Sequence, residues 1–482
     1  MSKDAVGART KVAIAEQTAY ATKASTVSIG LDITSEALTN DIAAFTSGAL
    51  RADRAVHKRV RGNQSAGGDI NFEQNSEGFL LLYKHAFGRG ITLPEVDGGI
   101  RGQLAADTSA GQETVVLVNV VGGSTFNASA ASGADIIAVT YGTDSTGALN
   151  YCYTQYSAFD VATSTLTVSD ALGALSKGDF VFLRDSTNYV GIYSHYVEAY
   201  EELPLALSVE VYRDIAVFDY IGCRINSLAE TYPTNEMLTG SINVLARQEW
   251  SGDWLSADTS VAQATITLED ASLFPESGVI SIADEDDMAY ASKSGNIITM
   301  TDTINSAHSQ YDPVYLSEPA TTYTYSDTDP FSSFEANLYM DNVASEVLSA
   351  NYTLTNNLYA DKFQIGSKYR VRAPEQGRTV EGSLNVEFDD MTLYSKFVRG
   401  TSARLEIRCI KDVEEIVSDK DVYYQKHMIF SNIEFNGTTP TTGGPELMTH
   451  DIPFTALFDD VYDKPEVIAI FVNSQSSLDA ST

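Results

Sequence analysis

Residues 380–388 alternate with a period of two: Val380, Gly382, Leu384, Val386 and Phe388 fall on one side of an extended chain. That is the pattern of a strand with one buried face. Residues 223–228 with 236–242, and 430–435 with 446–452, each read as two alternating strands joined by a turn rich in Pro, Thr and Gly. Elsewhere the period lengthens. Phe79, Leu82 and Ala86 within 77–87, and Leu393, Tyr394 and Phe397 within 390–398, keep helical spacing, and Gly88 and Gly400 stand where each helix would stop. The pattern predicts a mainly β chain, two sheets each with one packed helix.

These signals come in the same order twice. Leu38-Thr39-Asn40-Asp41-Ile42 and Gly68-Asp69-Ile70-Asn71-Phe72-Glu73 return as Leu354-Thr355-Asn356-Asn357-Leu358 and Gly382-Ser383-Leu384-Asn385-Val386-Glu387. Leu38 precedes Gly68 by 30 positions and Leu354 precedes Gly382 by 28. The later pair repeats as well, 223–228 matching 430–435 and Glu236–Ile242 matching Glu446–Ile452. A duplicated fold can pack against itself and against neighbouring chains with the same faces, which favours assembly over catalysis.

A second repeat is nested in the first. Leu104-Ala105-Ala106-Asp107-Thr108-Ser109 with Thr114-Val115-Val116-Leu117 matches Leu255-Ser256-Ala257-Asp258-Thr259-Ser260 with Thr265-Ile266-Thr267-Leu268. Residues 165–168 and 181–183 close one module, 297–300 and 314–316 the other. The expected organisation is a discontinuous first domain (1–103 and 191–253), an inserted β module (104–190), a second module (254–318) and a second domain (319–482). Insertions sit where the host already makes an exposed loop, so both modules are expected on the outside. Residues 1–25, polar and Ala-rich, read as an arm that orders against a neighbour, and 474–482 read as a frayed tail.

The chain has 482 residues, 43% of them hydrophobic, which suits several globular domains. Its 31 Lys and Arg stand against 65 Asp and Glu, a net charge of −34, so its surface should repel a phosphate backbone. Cys152, Cys223 and Cys409 form no CxxC pair and read as buried small hydrophobes. Residues 1–4 lack the apolar core of a signal peptide, and no apolar run of about 18 residues occurs, so a soluble product made in a cytoplasm is expected, with no membrane partner.

Catalytic patterns are missing from the sequence. There is no phosphate loop, no His-Glu-x-x-His and no Gly-x-Ser-x-Gly. His57, His85, His195, His308, His427 and His450 are scattered and read as structural, in or beside strands. Asp284-Glu285-Asp286-Asp287 lacks the alternating ligands and turn glycine of a calcium loop. No enzyme, cofactor or metal is expected. The local exception to the acidity is positive: Arg51, Arg54, Lys58, Arg59 and Arg61 in the first half, Lys368, Arg370, Arg372 and Arg378 at equivalent places in the second. Three readings fit these loops: a contact with an acidic face of an adjacent subunit, a solvated hairpin, or a nucleic-acid site, the last opposed by the overall charge.

The order of several segments resembles the tail tube proteins (major tail proteins) of long-tailed bacteriophages. They are residues 13–22, 50–54 with 58–62, 67–72, 221–228, 390–396 and 453–458. The resemblance covers both halves and not the inserts, whose 273–278 stretch resembles a small β module common in phage structural proteins. It implies tube domains of β-sandwich or barrel-like form that stack as rings around a lumen. With two domains per chain, three chains would complete a pseudo-hexameric ring. It further implies a homotrimer stacked into a tube, tape measure and tail-end proteins as partners, phage DNA passing through an acidic lumen without specific binding, and a place in the virion tail after assembly in the host cytoplasm. Another tube or baseplate-hub component, and a secreted β-rich adhesin, are the alternatives.

Overall fold

A computed structural model describes residues 6–47, 58–109, 111–130, 135–141, 149–172, 174–283, 285–317, 322–388, 391–437 and 448–479. Strands dominate, with helices at Leu80–Phe87, Gly123–Ala130 and Thr392–Arg399. The fold is mainly β, as the alternation predicts.

Its centre is an antiparallel sheet of eight strands. Their order is Thr39–Thr46, Arg59–Glu73, Thr239–Ala246, Val217–Tyr232, Ser349–Thr355, Thr379–Glu387, Thr449–Leu457 and Tyr423–Phe435. The first four belong to one unit and the last four to its repeat. The seam between units is an ordinary ladder in which Leu228 faces Leu354 and Tyr232 faces Ala350. One face buries Ile70, Phe72, Ile242, Leu228, Leu354, Leu384, Ile452 and Phe454 in a single apolar cluster that runs through both units. Each such side chain contributes about 1.5–3 kcal/mol on burial, so the seam is fixed by the core as well as by its hydrogen bonds.

The register equates the units residue by residue. Ile242 faces Ile70 and Glu36 faces Ile70 in one; Ile452 faces Leu384 and Ala350 faces Leu384 in the other. Beyond a bulge the long strand of each unit leaves the central sheet for a second one. There Leu207 faces Cys223 and Ala403 faces Ile433, Val12 faces Val211 and Leu338 faces Ile407, Val12 faces Leu31 and Leu338 faces Ser345. Ala336–Met340 is therefore the counterpart of Thr10–Glu16, a match with no readable sequence likeness.

This register corrects three sequence expectations. Leu354 occupies the place of Asn40 rather than Leu38, which removes the mismatch between spacings of 30 and 28. A slip of two keeps every side chain on its face, so alternation cannot detect it. Ile433 and Phe435 correspond to Cys223 and Ile225, a shift of three from the pairing read in the sequence, because a bulge between Ile225 and Ser227 breaks the periodicity. The N-terminal arm is no arm: Thr10–Glu16 is an internal strand, paired on both sides, with Val12, Ala13 and Ile14 fully buried. The described part of the tail, residues 474–479, also packs. Gln475 and Leu478 are buried, and the Asp479 carboxylate lies 3.0 Å from Lys84 Nζ.

Two smaller barrels repeat one strand order. In the first, Val96–Leu104, Phe180–Arg184, Asp135–Tyr141, Leu149–Asp160, Thr165–Leu172 and Gln112–Val121 close on themselves. In the second, Gly252–Trp254, Pro313–Leu316, Gly278–Ile282, Glu285–Ser294, Ile297–Met300 and Thr265–Thr267 follow the same sequence of neighbours. Leu104 facing Leu117 closes one, and the Leu255–Leu268 bridge closes the other. The shared motif explains itself in hydrogen bonds. Gln112 Oε1 accepts from Ser109 N and its amide donates to Thr114 O, as Gln263 does between Ser260 and Thr265. Thr108 Oγ1 accepts from Leu175 N and Thr259 Oγ1 from His308 N.

Candidate functional surfaces

The face of the central sheet opposite the core is built by the other half of the alternation. It presents Thr, Ser and Asn at Thr239, Ser241, Asn243, Thr231, Asn351, Thr353, Thr379, Ser383, Asn385 and Thr449. Its carboxylates are Asp41, Asp69, Glu73, Glu381, Glu387, Glu434 and Asp451. Within these eight paired strands, from residue 65 onward in the second, the one base on this face is Arg224, opposite Leu245, and it pairs with Glu375 at 2.6 Å. Short cross-strand bonds order it: Asn243 donates to Asp69 (2.6 Å) and Asn71 to Ser35 (2.9 Å). The sequence contained this wall only as alternation; which carboxylates share it required the register.

The exposed basic residues stand apart from that wall. Strand Arg59–Glu73 runs past its neighbour, which ends opposite Ala66, and continues as a hairpin with Thr39–Thr46. Lys58, Arg59 and Arg61 are exposed there, beside Phe45 (60% exposed) and Val60 (63% exposed). Arg51 and Arg54 lie outside the described residues. The second basic segment folds back against the same hairpin: Gln64 N donates to Lys368 O at 2.8 Å. Its residues divide. Arg370 is buried and donates to Ala246 O (2.6 Å), Arg378 pairs with Glu466 (2.7 Å), and Lys368 lies 3.6 Å from Asp270. Arg372 is exposed. Among the described residues Lys58, Arg59, Arg61 and Arg372 form no side-chain ion pair. The two basic segments, distant in sequence, thus share one end of the molecule.

A third feature lies inside. Lys426 of the second unit is fully buried, and its ammonium reaches Gln74 Oε1 (2.7 Å), Tyr83 Oη (2.8 Å) and Glu230 Oε1 (2.5 Å), all of the first unit. Tyr232 donates to the other Glu230 oxygen. Burial and the Glu230 charge hold the Tyr83 phenol well above its ordinary range. A second cluster ties the first barrel to the second unit: Arg101 meets Glu406, which also pairs with Arg404 and Arg408. Burial opposes ionisation of Glu406, yet the three guanidiniums hold its carboxyl far below the usual carboxylate range. These clusters join parts of one chain.

His57 lies outside the described residues, and the other histidines named here serve the packing. His195 is bonded to Asn473, His427 to Gln425, and His308 to Glu285. His85 lies in the first helix, 3.5 Å from Glu16, rather than in a strand. Cys223 and Cys409 are buried and Cys152 half-buried, all with free thiols.

The frame of the molecule is thus a duplicated sheet with one apolar and one polar, acidic face, bounded by an edge strand. The chain belongs to the phage tail tube protein family, whose sequence profile matches residues 7–456. It is a structural component of a phage virion tail. No curated protein matches it.

Proposed function

We propose that three copies of this chain close into a pseudo-hexameric ring and that rings stack into the tail tube. The observation that carries this reading is the Leu228–Leu354 seam. Two units already stand side by side as consecutive members of a ring would. Residues 35–41, which include Thr39–Asp41, are the counterpart of Ser349–Thr355, and among the described residues Thr39–Thr46 pairs on one side only. By register the Ser227–Tyr232 edge of the seam has its counterpart in the chain that follows Phe435, whose residues from 438 to 447 lie outside the described ones. Joining these edges between copies repeats the seam, closes the ring heterologously and removes an aggregation-prone edge. Three chains would supply a wall of about twenty-four strands on this register.

The polar, acidic face then lines the lumen, where its carboxylates repel phosphate and let phage DNA pass without specific binding. Tube domains would comprise 1–103 with 191–253 and 319–482, carrying modules 104–190 and 254–318 outside; strand Val96–Leu104 crosses from the first domain into its module. The exposed bases of the hairpin end meet acidic surface of an adjacent copy and fix its register. Tape measure and tail-end proteins are the remaining partners, and assembly takes place in the host cytoplasm.

The test is assembly of Arg59→Glu with Arg61→Glu, both exposed. Sedimentation should show a folded monomer that assembles poorly, with wild-type thermal stability. Normal tubes from this variant would overturn the role given to the hairpin.

A further inference from the structure

We propose that the half-exposed apolar face of the second-unit helix, Thr392–Arg399, is the seat for the first unit of a second copy of this chain. This rests on the ring reading above and adds a contact outside the strand wall.

The argument is the difference between two equivalent helices. The spacing that brings Gly68 onto Gly382 also brings Phe79 onto Leu393 and Tyr83 onto Phe397. In the first unit, Leu80, Leu81, Leu82, Tyr83, Ala86 and Phe87 are all buried. Much of their cover comes from the second unit of the same chain. The Phe471 ring lies 4.8 Å from that of Tyr83, Lys426 sits over the Tyr83 face, and Asn356 Nδ2 donates to Ala86 O at 2.9 Å. The first helix is therefore clamped between its own sheet and the next unit along the wall.

The second helix has its own sheet and, among the described residues, lacks that clamp. Leu393 and Phe397 pack against the core yet remain partly exposed, while Met391 is 55% and Val398 62% exposed. Its ends are nevertheless defined: Gly400 takes a left-handed conformation at φ 61°, and Lys396 pairs with Asp341. A well-ended helix with a half-covered apolar face suits a partner that arrives on assembly. The order of units names the partner. A first unit is followed by a second, which covers its helix; a second unit in a ring is followed by the first unit of the next copy. The matching surface is the strand pair Val217–Tyr232 with Gln248–Trp250, counterpart of Tyr423–Phe435 with Ile468–Asn473.

The experiment compares wild type with Met391→Asp/Val398→Asp, two positions exposed enough for the monomer to keep its fold, by sedimentation velocity across concentration. The variant should remain a monomer with the wild-type circular dichroism spectrum, its critical concentration raised roughly 30-fold or more, the scale of losing one interface hot spot. Hydrogen exchange on wild type supplies a second readout: amides of 393–399 should slow on assembly, while those of 80–87 are already slow in the monomer. Assembly of the variant at the wild-type concentration, or unchanged exchange at 393–399 in assembled wild type, would overturn the helix seat and leave the ring standing. A wild-type chain that never assembles would overturn the ring reading itself.

Discussion

His195 sits wholly inside the protein, bonded to Thr92 and Asn473, and burial pulls its pKa down to about 4. Its ordinary value is near 6.5. Between about pH 6.5 and 4 the unfolded chain takes up a proton that the folded chain refuses, so this residue's stabilisation is complete above that window and lost as the pH falls through it. The shift corresponds to about 3 kcal/mol. Urea midpoints at pH 7 and pH 4.5 should therefore differ less for His195→Gln than for wild type; equal differences would contradict the assignment. Lys426 makes a sharper case, since its partners span both units. Lys426→Ala leaves Glu230 charged and buried and should cost about 3–5 kcal/mol, while Lys426→Met with Glu230→Gln should recover most of the loss. A double-mutant cycle by urea unfolding measures this, and additive losses would show that the two side chains do not act as a pair.

At the scale of strands and turns, Gly68 and Gly382 mark the same crowded point of each unit. A Cβ on Gly68 would stand 2.1 Å from Ala37 O, and one on Gly382 would stand 2.4 Å from Asn351 O. Either backbone contact leaves no room for a side chain. Gly68→Ala and Gly382→Ala should each cost about 1–3 kcal/mol, whereas Gly377→Ala, in open space, should change stability by less than about 0.5. Thermal unfolding of the three variants decides it, and a neutral Gly68→Ala would place the strand differently. Both glycines were visible in the sequence because they sit within the clearest alternating blocks. So were the two helix stops, Gly88 and Gly400. Strand Thr10–Glu16 and its counterpart Ala336–Met340 were not visible as a pair, because an inward face of small and β-branched residues in one became Leu and Met in the other. The cross-unit contacts of Lys426 and Arg101 left no local trace either, for their partners lie hundreds of residues away.

The whole molecule adds what neither scale contains. The sequence repeat announced two units and two modules, but only the register places the units edge to edge and collects seven scattered carboxylates on one wall. The basic residues proved less uniform than their spacing suggested, with Arg370 and Arg378 bonded within the chain and Arg59, Arg61 and Arg372 exposed. The central claim is that one chain supplies two consecutive members of a ring. Native mass spectrometry of isolated rings, with end-on electron micrographs of the same sample, tests it most directly. The account predicts three 52.2-kDa chains per ring, sixfold symmetry at the inner wall and threefold symmetry towards the outside. Six chains per ring, or a sixfold pattern out to the rim, would contradict it.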